Sequence, residues 1–278
     1  TRFDCDWSSD VCSSDLVAPY RAVDSLESLK QAVAELGLPI VLKTVTGGYD
    51  GKGQFVLRSE DQIDTAWTEL GPAKSLIAES FVKFSREVSI IAVRGQDGDV
   101  KTWALAENHH HNGILSHSIV PAPNSTDLQP VAQDYITRLL NHLNYVGVLT
   151  LELFVTEQGL YANEMACRVH NSGHWSIEGA ICSQFENHIR AVAGLPLGAT
   201  DVVRPTVMIN IIGQHPKSED VLALKGAHLH LYNKSERAGR KLGHITLMPN
   251  NSDELTVLCR QLAQILPVPL ALTADMNL

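Results

Sequence analysis

Several things are scarce in this chain, and each scarcity excludes something. Over 278 residues there is no run of about 18 apolar side chains, so no membrane-crossing helix is expected. Positive charge is thin: 22 Lys and Arg against 31 Asp and Glu give a formal charge of -9, the opposite of the basic footprint that nucleic acid leaves on its partners. The five cysteines, Cys5, Cys12, Cys167, Cys182 and Cys259, are odd in number and lack zinc-ligand spacing, a usage that suits a reducing cytoplasm. GxxxxGK[ST] occurs nowhere, so there is no P-loop. What is present, at 44% hydrophobic and 19% charged, is globular and long enough for two domains or one large one.

Residues 1–16 (TRFDCDWSSDVCSSDL) are Ser/Asp/Cys-rich, repeat Ser-Ser-Asp and carry neither helical nor strand period. They read as a non-native leader similar to a translated sequencing adapter. They are no signal peptide, lacking a basic start and an apolar stretch. An ordinary segment begins at Val17, and regular patterning from Val23. Asp24, three before Glu27, can cap a helix with Leu29, Ala32, Val33 and Leu36 on one face and Gly37 at its end. Residues 39–44 (PIVLKT) read as a buried strand with one charge, Lys43, and residues 55–58 as the next strand. Between them GGYDGKGQ puts four glycines in seven residues, which lets backbone N–H groups approach an anion closely. With Lys43 before the loop and Lys52 inside it, phosphate binding is one reading and a plain glycine-rich hairpin the other.

The densest polar stretch is residues 161–175 (YANEMACRVHNSGHW), with Glu152 twelve residues before Glu164. Residues 146–155 (VGVLTLELFV) read as a strand, and a three-residue loop, 157–159, with Gly159 left-handed, sets Thr156 opposite Leu160 and Glu152 opposite Glu164. Two like charges directly opposed are destabilising, and one carboxylate should be pushed toward protonation. A divalent cation removes the conflict. Mg²⁺ suits the pair, being typically held by one or two carboxylates together with waters and substrate phosphates. Solvated acids on an exposed hairpin are the alternative.

Residues 75–92 supply two more strands interrupted by Glu79 and Glu87, candidates for the polar edge and sugar of a nucleotide or simply solvated positions. Asn112-Gly113 signals a turn after His109, His110 and His111. Consecutive strand residues point to opposite faces, so the histidine triplet is not expected to bind metal. Helices are expected at 128–144 and 177–192. After residue 205 short strands at 206–212, 228–232 and 241–247 and a helix at 253–266 form a small mixed unit. Within it Lys234, Arg237, Arg240 and Lys241 make the one dense basic cluster, either a routine surface or an anion clamp.

The order Lys43, GGYDGKGQ, Glu79 with Glu87, His110, Glu152 and NExxxRxHNSGH resembles the ATP-grasp family over residues 17–267. More narrowly, with HLHLYNKxxRAGRKLGH, it is similar to the N5-carboxyaminoimidazole ribonucleotide synthetases, ATP-dependent carboxylases of purine synthesis. The resemblance implies an α+β, ATP-grasp fold whose two subdomains (17–200) grip ATP, with a C-terminal mixed α/β domain (201–278). Members of the family begin with a Rossmann-like domain, which by this reading is expected to be missing, with the suspect leader in its place. Implied substrates are ATP, bicarbonate and aminoimidazole ribonucleotide, with Mg²⁺ as cofactor and a homodimer as the assembly. By the same resemblance Lys43, Gly48, Tyr49, Asp50, Gly51, Lys52, Gly53 and Gln54 hold phosphates. Glu79, Ser80, Phe81 and Val82 line the adenine pocket, Glu87 meets the ribose, and His110, Asn163 and Glu164 stand at the nucleotide. Glu152 and Glu164 ligate Mg²⁺. Arg168, His170, Asn171 and Ser172 hold carboxyphosphate and the imidazole substrate, helped by Lys234, Arg240 and Lys241. Cys167 stands where the family usually has proline, a departure expected to matter little. Two other readings stay open: another ATP-grasp carboxylate-amine ligase, and a catalytically inactive ATP-binding module.

Overall fold

The computed structural model describes residues 17–46, 53–71 and 75–267. Its N-terminal part is a small antiparallel sheet. β1 (Tyr20–Val23) leads into α1 (Leu26–Leu36), then β2 (Ile40–Thr44), β3 (Gln54–Leu57), α2 (Ile63–Leu70) and β4 (Leu76–Ser80), with strand order β1-β4-β2-β3. The cap of α1 is Ser25 and not the expected Asp24: Ser25 Oγ accepts from the Ser28 N–H at 3.1 Å while Ser28 Oγ accepts from the Ser25 N–H at 3.0 Å. Asp24 supports this box by accepting from Ser28 Oγ. Gly37, at φ +73°, ends the helix as expected.

Alternation along these strands separates two faces. Ile40, Leu42, Leu57, Leu76 and Ala78 pack with Leu29, Ala32, Val33, Ile63 and Ala66 into one apolar core. Val41, Lys43, Gln54, Val56, Ile77 and Glu79 are left on the opposite face.

The rest is built on a larger sheet. β5 (Arg86–Arg94), β6 (Val100–Thr102), β7 (Ala106–His111) and β8 (Ile114–Val120) are followed by α3 (Leu128–His142), β9 (Gly147–Thr156) and β10 (Gly159–Ala166). Asn112 and Gly113, both at positive φ (51° and 75°), make the turn between β7 and β8. Next come α4 (Ser176–Gly179), α5 (Gln184–Val192), β11 (Thr206–Ile212), α6 (Ser218–Leu222), β12 (Ala227–Leu231), β13 (Lys241–Leu247) and α7 (Ser252–Ile265). Among the described residues the strand order is β10-β9-β5-β7-β8-β11-β13-β12, with β6 on β5. The C-terminal strands therefore extend the large sheet through the β8–β11 pairing and do not close on themselves.

One expected helix, 177–192, is two. Ala180 bridges to Val202, the Cys182 carbonyl accepts from Trp103 Nε1 at 3.0 Å, and Ser183 caps a fresh helix by accepting from the Glu186 N–H at 3.1 Å. The capping serine restarts the helix that periodicity alone would have continued. The new helix is inverted: α5 turns Gln184, Asn187 and Ala191 inward, while Phe185, Ile189 and Val192 face out with Ile181 before them.

β5 and β9 set up the site by alternation. Val88, Ile90, Leu149, Leu151 and Leu153 pack with Ile136 and Leu140 of α3. On the opposite face of the same strands stand Glu87, Ser89, Thr150 and Glu152, with Ser89 paired directly across from Glu152.

Candidate functional site

A cleft of about 840 Å³ lies between the free face of the small sheet and the β5–β9–β10 end of the large one. From the small sheet it receives Lys43, Gln54, Glu79 and Ser80, with Phe81 and Val82 beyond β4. The large-sheet side supplies Glu87, His110, Glu152, Asn163, Glu164, Arg168, His170, Asn171 and Lys241. Gly53 does not line it. The remaining loop candidates, Gly48, Tyr49, Asp50, Gly51 and Lys52, lie outside the described residues.

The β9–β10 hairpin differs from expectation in a way that preserves its outcome. Thr156 pairs with Gly159, not Leu160, so the loop has two residues, and the ladder starts one step out of the expected phase. A bulge between Ala162 and Glu164 adds the missing step and puts Glu164 opposite Glu152. Both members of the Asn163-Glu164 pair thereby reach the same cleft, which consecutive residues of a regular strand cannot do. Asn163 Oδ1 lies 3.4 Å from Lys43 Nζ, joining the two walls, and Lys43 Nζ lies 2.5 Å from Glu79 Oε2. Sequence reading assigned Lys43 and Glu79 to opposite ends of a nucleotide; here they pair with each other.

After β10 the chain turns at His170. Its N–H donates to Gln184 Oε1 at 2.9 Å and its carbonyl accepts from Gln184 Nε2 at 2.7 Å, so one buried amide clasps the backbone on both sides. A single turn, Asn171–Gly173, follows. A Cβ at Gly173 would come within 2.4 Å of Ile91 Cδ1 and 2.7 Å of Gln184 Oε1, so that seat admits only glycine without rearrangement. Asn171 exchanges two side-chain hydrogen bonds with Asn210 of β11, at 2.9 and 2.7 Å. His170 Nε2 faces Glu152 Oε1 at 3.2 Å.

Three expected substrate contacts stand elsewhere. Ser172 is fully buried beneath His170, its hydroxyl 2.9 Å from His170 Nδ1 and 2.8 Å from Ser89 Oγ, so it cannot touch a ligand in the cleft. The Lys234 ammonium sits 5.2 Å above the Tyr232 ring, and Arg240 donates to Ser235 Oγ at 3.1 Å; neither lines the cleft. Of the basic cluster only Lys241, at the start of β13, does.

The electrostatics centre on Glu152. Burial raises its pKa to about 7, with Glu164 and Glu87 adding to the rise against the pull of His110 and Lys241. Burial also opposes the charged form of His110, but the hydrogen bond and charge of Glu87, 3.3 Å away, outweigh it and raise its pKa. His170 is held neutral, its pKa lowered to about 3 by burial first and then by Arg168 and Lys241. A buried acid that cannot hold its charge alone, facing a second carboxylate across the ladder, is a donor set that fits a divalent cation. Among the described residues no group of three His, Cys, Asp or Glu forms an all-protein metal cage.

Sequence reading missed the apolar lining. Val41, Val56 and Ile77 stand on the cleft face of the small sheet, and Phe84 stacks on Phe154 with centroids 4.4 Å apart. The first three are two residues from Lys43, Gln54 and Glu79, so strand alternation was an available signal. Gln184, Ser89, Asn108 and Asn210 gave none, because their partners are remote in sequence.

Comparison with known proteins adds the following. The ATP-grasp domain family matches residues 14–185, and the phosphoribosylaminoimidazole carboxylase C-terminal domain matches residues 206–257. The chain is 48% identical over 255 residues to an N5-carboxyaminoimidazole ribonucleotide synthase of Vibrio vulnificus, covering 90% of this chain and 67% of that one. It superposes on the crystal structure of the N5-carboxyaminoimidazole ribonucleotide synthetase from Thermus thermophilus with TM-score 0.84 and 46% identity, over 91% of this chain and 68% of that one. A synthase from Aspergillus clavatus, solved with ADP and 5-aminoimidazole ribonucleotide, superposes with TM-score 0.82 at 30% identity, over 90% and 69%. The chain thus spans about two thirds of the length of these relatives.

Proposed function

The chain belongs to the N5-carboxyaminoimidazole ribonucleotide synthase family of ATP-grasp proteins, and from that membership we propose that it is an ATP-dependent ligase of purine biosynthesis. It carboxylates 5-aminoimidazole ribonucleotide with bicarbonate. A bicarbonate oxygen attacks the γ-phosphorus of ATP, the bond to ADP breaks, and carboxyphosphate forms. Carboxyphosphate releases phosphate and CO2, and the exocyclic amine adds to the CO2 carbon with loss of one proton. The observation that carries this reading is the opposed pair Glu152 and Glu164 on a cleft also lined by Lys43, Arg168 and Lys241.

Such chemistry asks the protein for positioning and charge neutralisation more than for covalent help. Lys43, with Gln54 and the loop Gly48, Tyr49, Asp50, Gly51 and Lys52, neutralises and covers the phosphates. Glu79, Ser80, Phe81 and Val82 take the adenine, and Glu87 with His110 takes the ribose. Glu152 and Glu164, beside Asn163, hold Mg²⁺, which when bound neutralises phosphate oxygens. Arg168, Asn171 and Lys241 meet the carboxylated intermediate and the ribonucleotide, while the stacked Phe84 and Phe154 help to exclude water from a labile species. Residues 17–200 form the ATP-gripping domain and 201–278 the C-terminal one.

We place the protein in the cytoplasm as a homodimer, without nucleic-acid or membrane partners. Supporting the dimer is the outward apolar face of α5, continuous with Ile181, which is the inverse of a solvated helix. No helix among the described residues is long and apolar enough to cross a membrane.

Phosphate release from Mg-ATP, with and without the ribonucleotide and bicarbonate, tests the activity. Release that requires the ribonucleotide is the expected result; ATP binding without it would match a catalytically inactive module instead. The double variant Glu152→Gln/Glu164→Gln should keep its circular dichroism and lose about 10²–10³-fold or more of its Mg²⁺-dependent turnover. Unchanged turnover would remove the metal assignment.

A further inference from the structure

Beneath the cleft, five side chains hydrogen-bond in a row across four elements. Ser118 Oγ of β8 donates to Asn108 Oδ1 of β7 at 2.8 Å, and Asn108 Nδ2 donates to Ser89 Oγ of β5 at 3.0 Å. Ser89 Oγ donates to Ser172 Oγ at 2.8 Å, and Ser172 Oγ stands 2.9 Å from His170 Nδ1. Ser89, Ser118 and Ser172 are wholly inaccessible, and Asn108 retains 4% of its surface. Each hydroxyl has one proton to give. Ser89 receives from Asn108 and so gives to Ser172. Ser172 receives from Ser89 and so gives to His170 Nδ1.

Both ends of the imidazole favour the same direction for the row. The Ser172 backbone N–H, which can only donate, points at Nδ1 from 3.4 Å, a long contact that disfavours a proton on Nδ1 without excluding it. On the far side Nε2 faces Glu152 Oε1 at 3.2 Å, an atom that accepts from Nε2–H in the ionised form of Glu152. Turning the Asn108 amide over would run the row backwards and set two hydrogens against each other at Nδ1.

We propose that Ser118, Asn108, Ser89 and Ser172 act as positioning residues that hold His170 in its Nε2–H tautomer, so that His170 donates to Glu152 and is not a proton acceptor in the reaction. Its function is to aim one Glu152 oxygen and leave the other for the ligand. Partners of this kind behind a ligating carboxylate change activity or metal affinity by about 10–100-fold when removed. The tautomer itself does not depend on the proposed activity; the consequence for Glu152 rests on it.

The experiment is ¹⁵N imidazole NMR on the full chain without ligands, with the His170 signals identified by their loss in His170→Gln. The expected spectrum shows a pyrrole-like, protonated Nε2 and an unprotonated Nδ1. In Ser89→Ala the Nδ1–H form should appear, and Ser89→Thr, which keeps the hydroxyl, should restore the original pattern. A protonated Nδ1 in the unmodified chain overturns the proposal whatever its activity. So does a Ser89→Ala spectrum identical to that of the parent. In turnover, Ser89→Ala should lose about 10–100-fold in kcat, with the KM for ATP within about twofold and recovery in Ser89→Thr. If the parent chain shows no ribonucleotide-dependent turnover, the proposed function fails while the spectrum still decides the tautomer.

Discussion

The two walls of the cleft are built on opposite principles. Every buried polar residue among the described residues sits at or beyond Ser89; the small sheet and its helices bury apolar residues, with the Thr44 hydroxyl as a buried polar atom at the end of β2. On the small-sheet wall charge stays at the rim, as in the Lys43–Glu79 pair, whose side chains keep about a quarter of their surface at 24% and 25%. On the large-sheet wall polar groups reach the centre and several are answered there, Ser89 by Asn108 and Ser172, and Asn210 by Asn171 and the Leu115 carbonyl, while Thr150 Oγ1, His117 Nε2 and His244 Nε2 are buried without a protein partner. An apolar interior specifies volume and little else. A satisfied polar network specifies direction, since each donor must meet its acceptor. The first wall suits admitting and covering a ligand, the second holding atoms still.

The contrast can be tested from its strongest consequence downward. Leu42→Ala empties part of a fully buried, wholly apolar core, and should cost about 2–5 kcal/mol by urea denaturation. A loss well below that would mean the small sheet contributes little to the measured unfolding. Acid should act on the other wall. Burial lowers the pKa of His117 to about 4, His170 to about 3, His174 to about 4 and His244 to about 3. Their unfolded forms take protons near pH 6.5 while the folded forms do not, so their contribution is full above that pH and falls as pH drops from about 6.5 toward 4, offset in part by Glu152, whose raised pKa of about 7 works the other way. His117 alone should account for about 1–2 kcal/mol of the loss at pH 5. His117→Gln should then flatten the decline between pH 7 and 5, and equal slopes for variant and parent would break the assignment. The smallest effect belongs to the rim: Glu79→Gln should change stability by less than about 1 kcal/mol, because the pair it breaks is still partly solvated. A larger change would make that wall more polar in its energetics than its core indicates.

How much of this was readable beforehand depended on distance along the chain. The apolar runs around Lys43 and Glu79 announced β2 and β4 as strands though not their two faces, and Asn112-Gly113 declared its own turn. The opposition of Glu152 and Glu164 was reached by a loop one residue too long and a ladder without a bulge, two errors that cancel. Ser25 and Ser183 as caps were within reach, since serines before an apolar period are start signals, yet Asp24 and an unbroken helix looked equally good. The buried row was out of reach. Ser89, Asn108, Ser118 and Ser172 look like scattered small polar residues until tertiary pairing brings them side by side. Ser172 was misassigned for the same reason: adjacency to His170 and Asn171 in sequence said nothing of which way its hydroxyl turns.

The bulge in β10 leaves strand length adjustable. Deleting Asn163 would join Ala162, opposite Leu153, directly to Glu164, opposite Glu152, and turn an irregular ladder into a regular one. A one-residue deletion, ordinarily among the harshest changes a strand can suffer, would there be silent for pairing and felt only in the cleft, where Lys43 would lose its partner on the far wall.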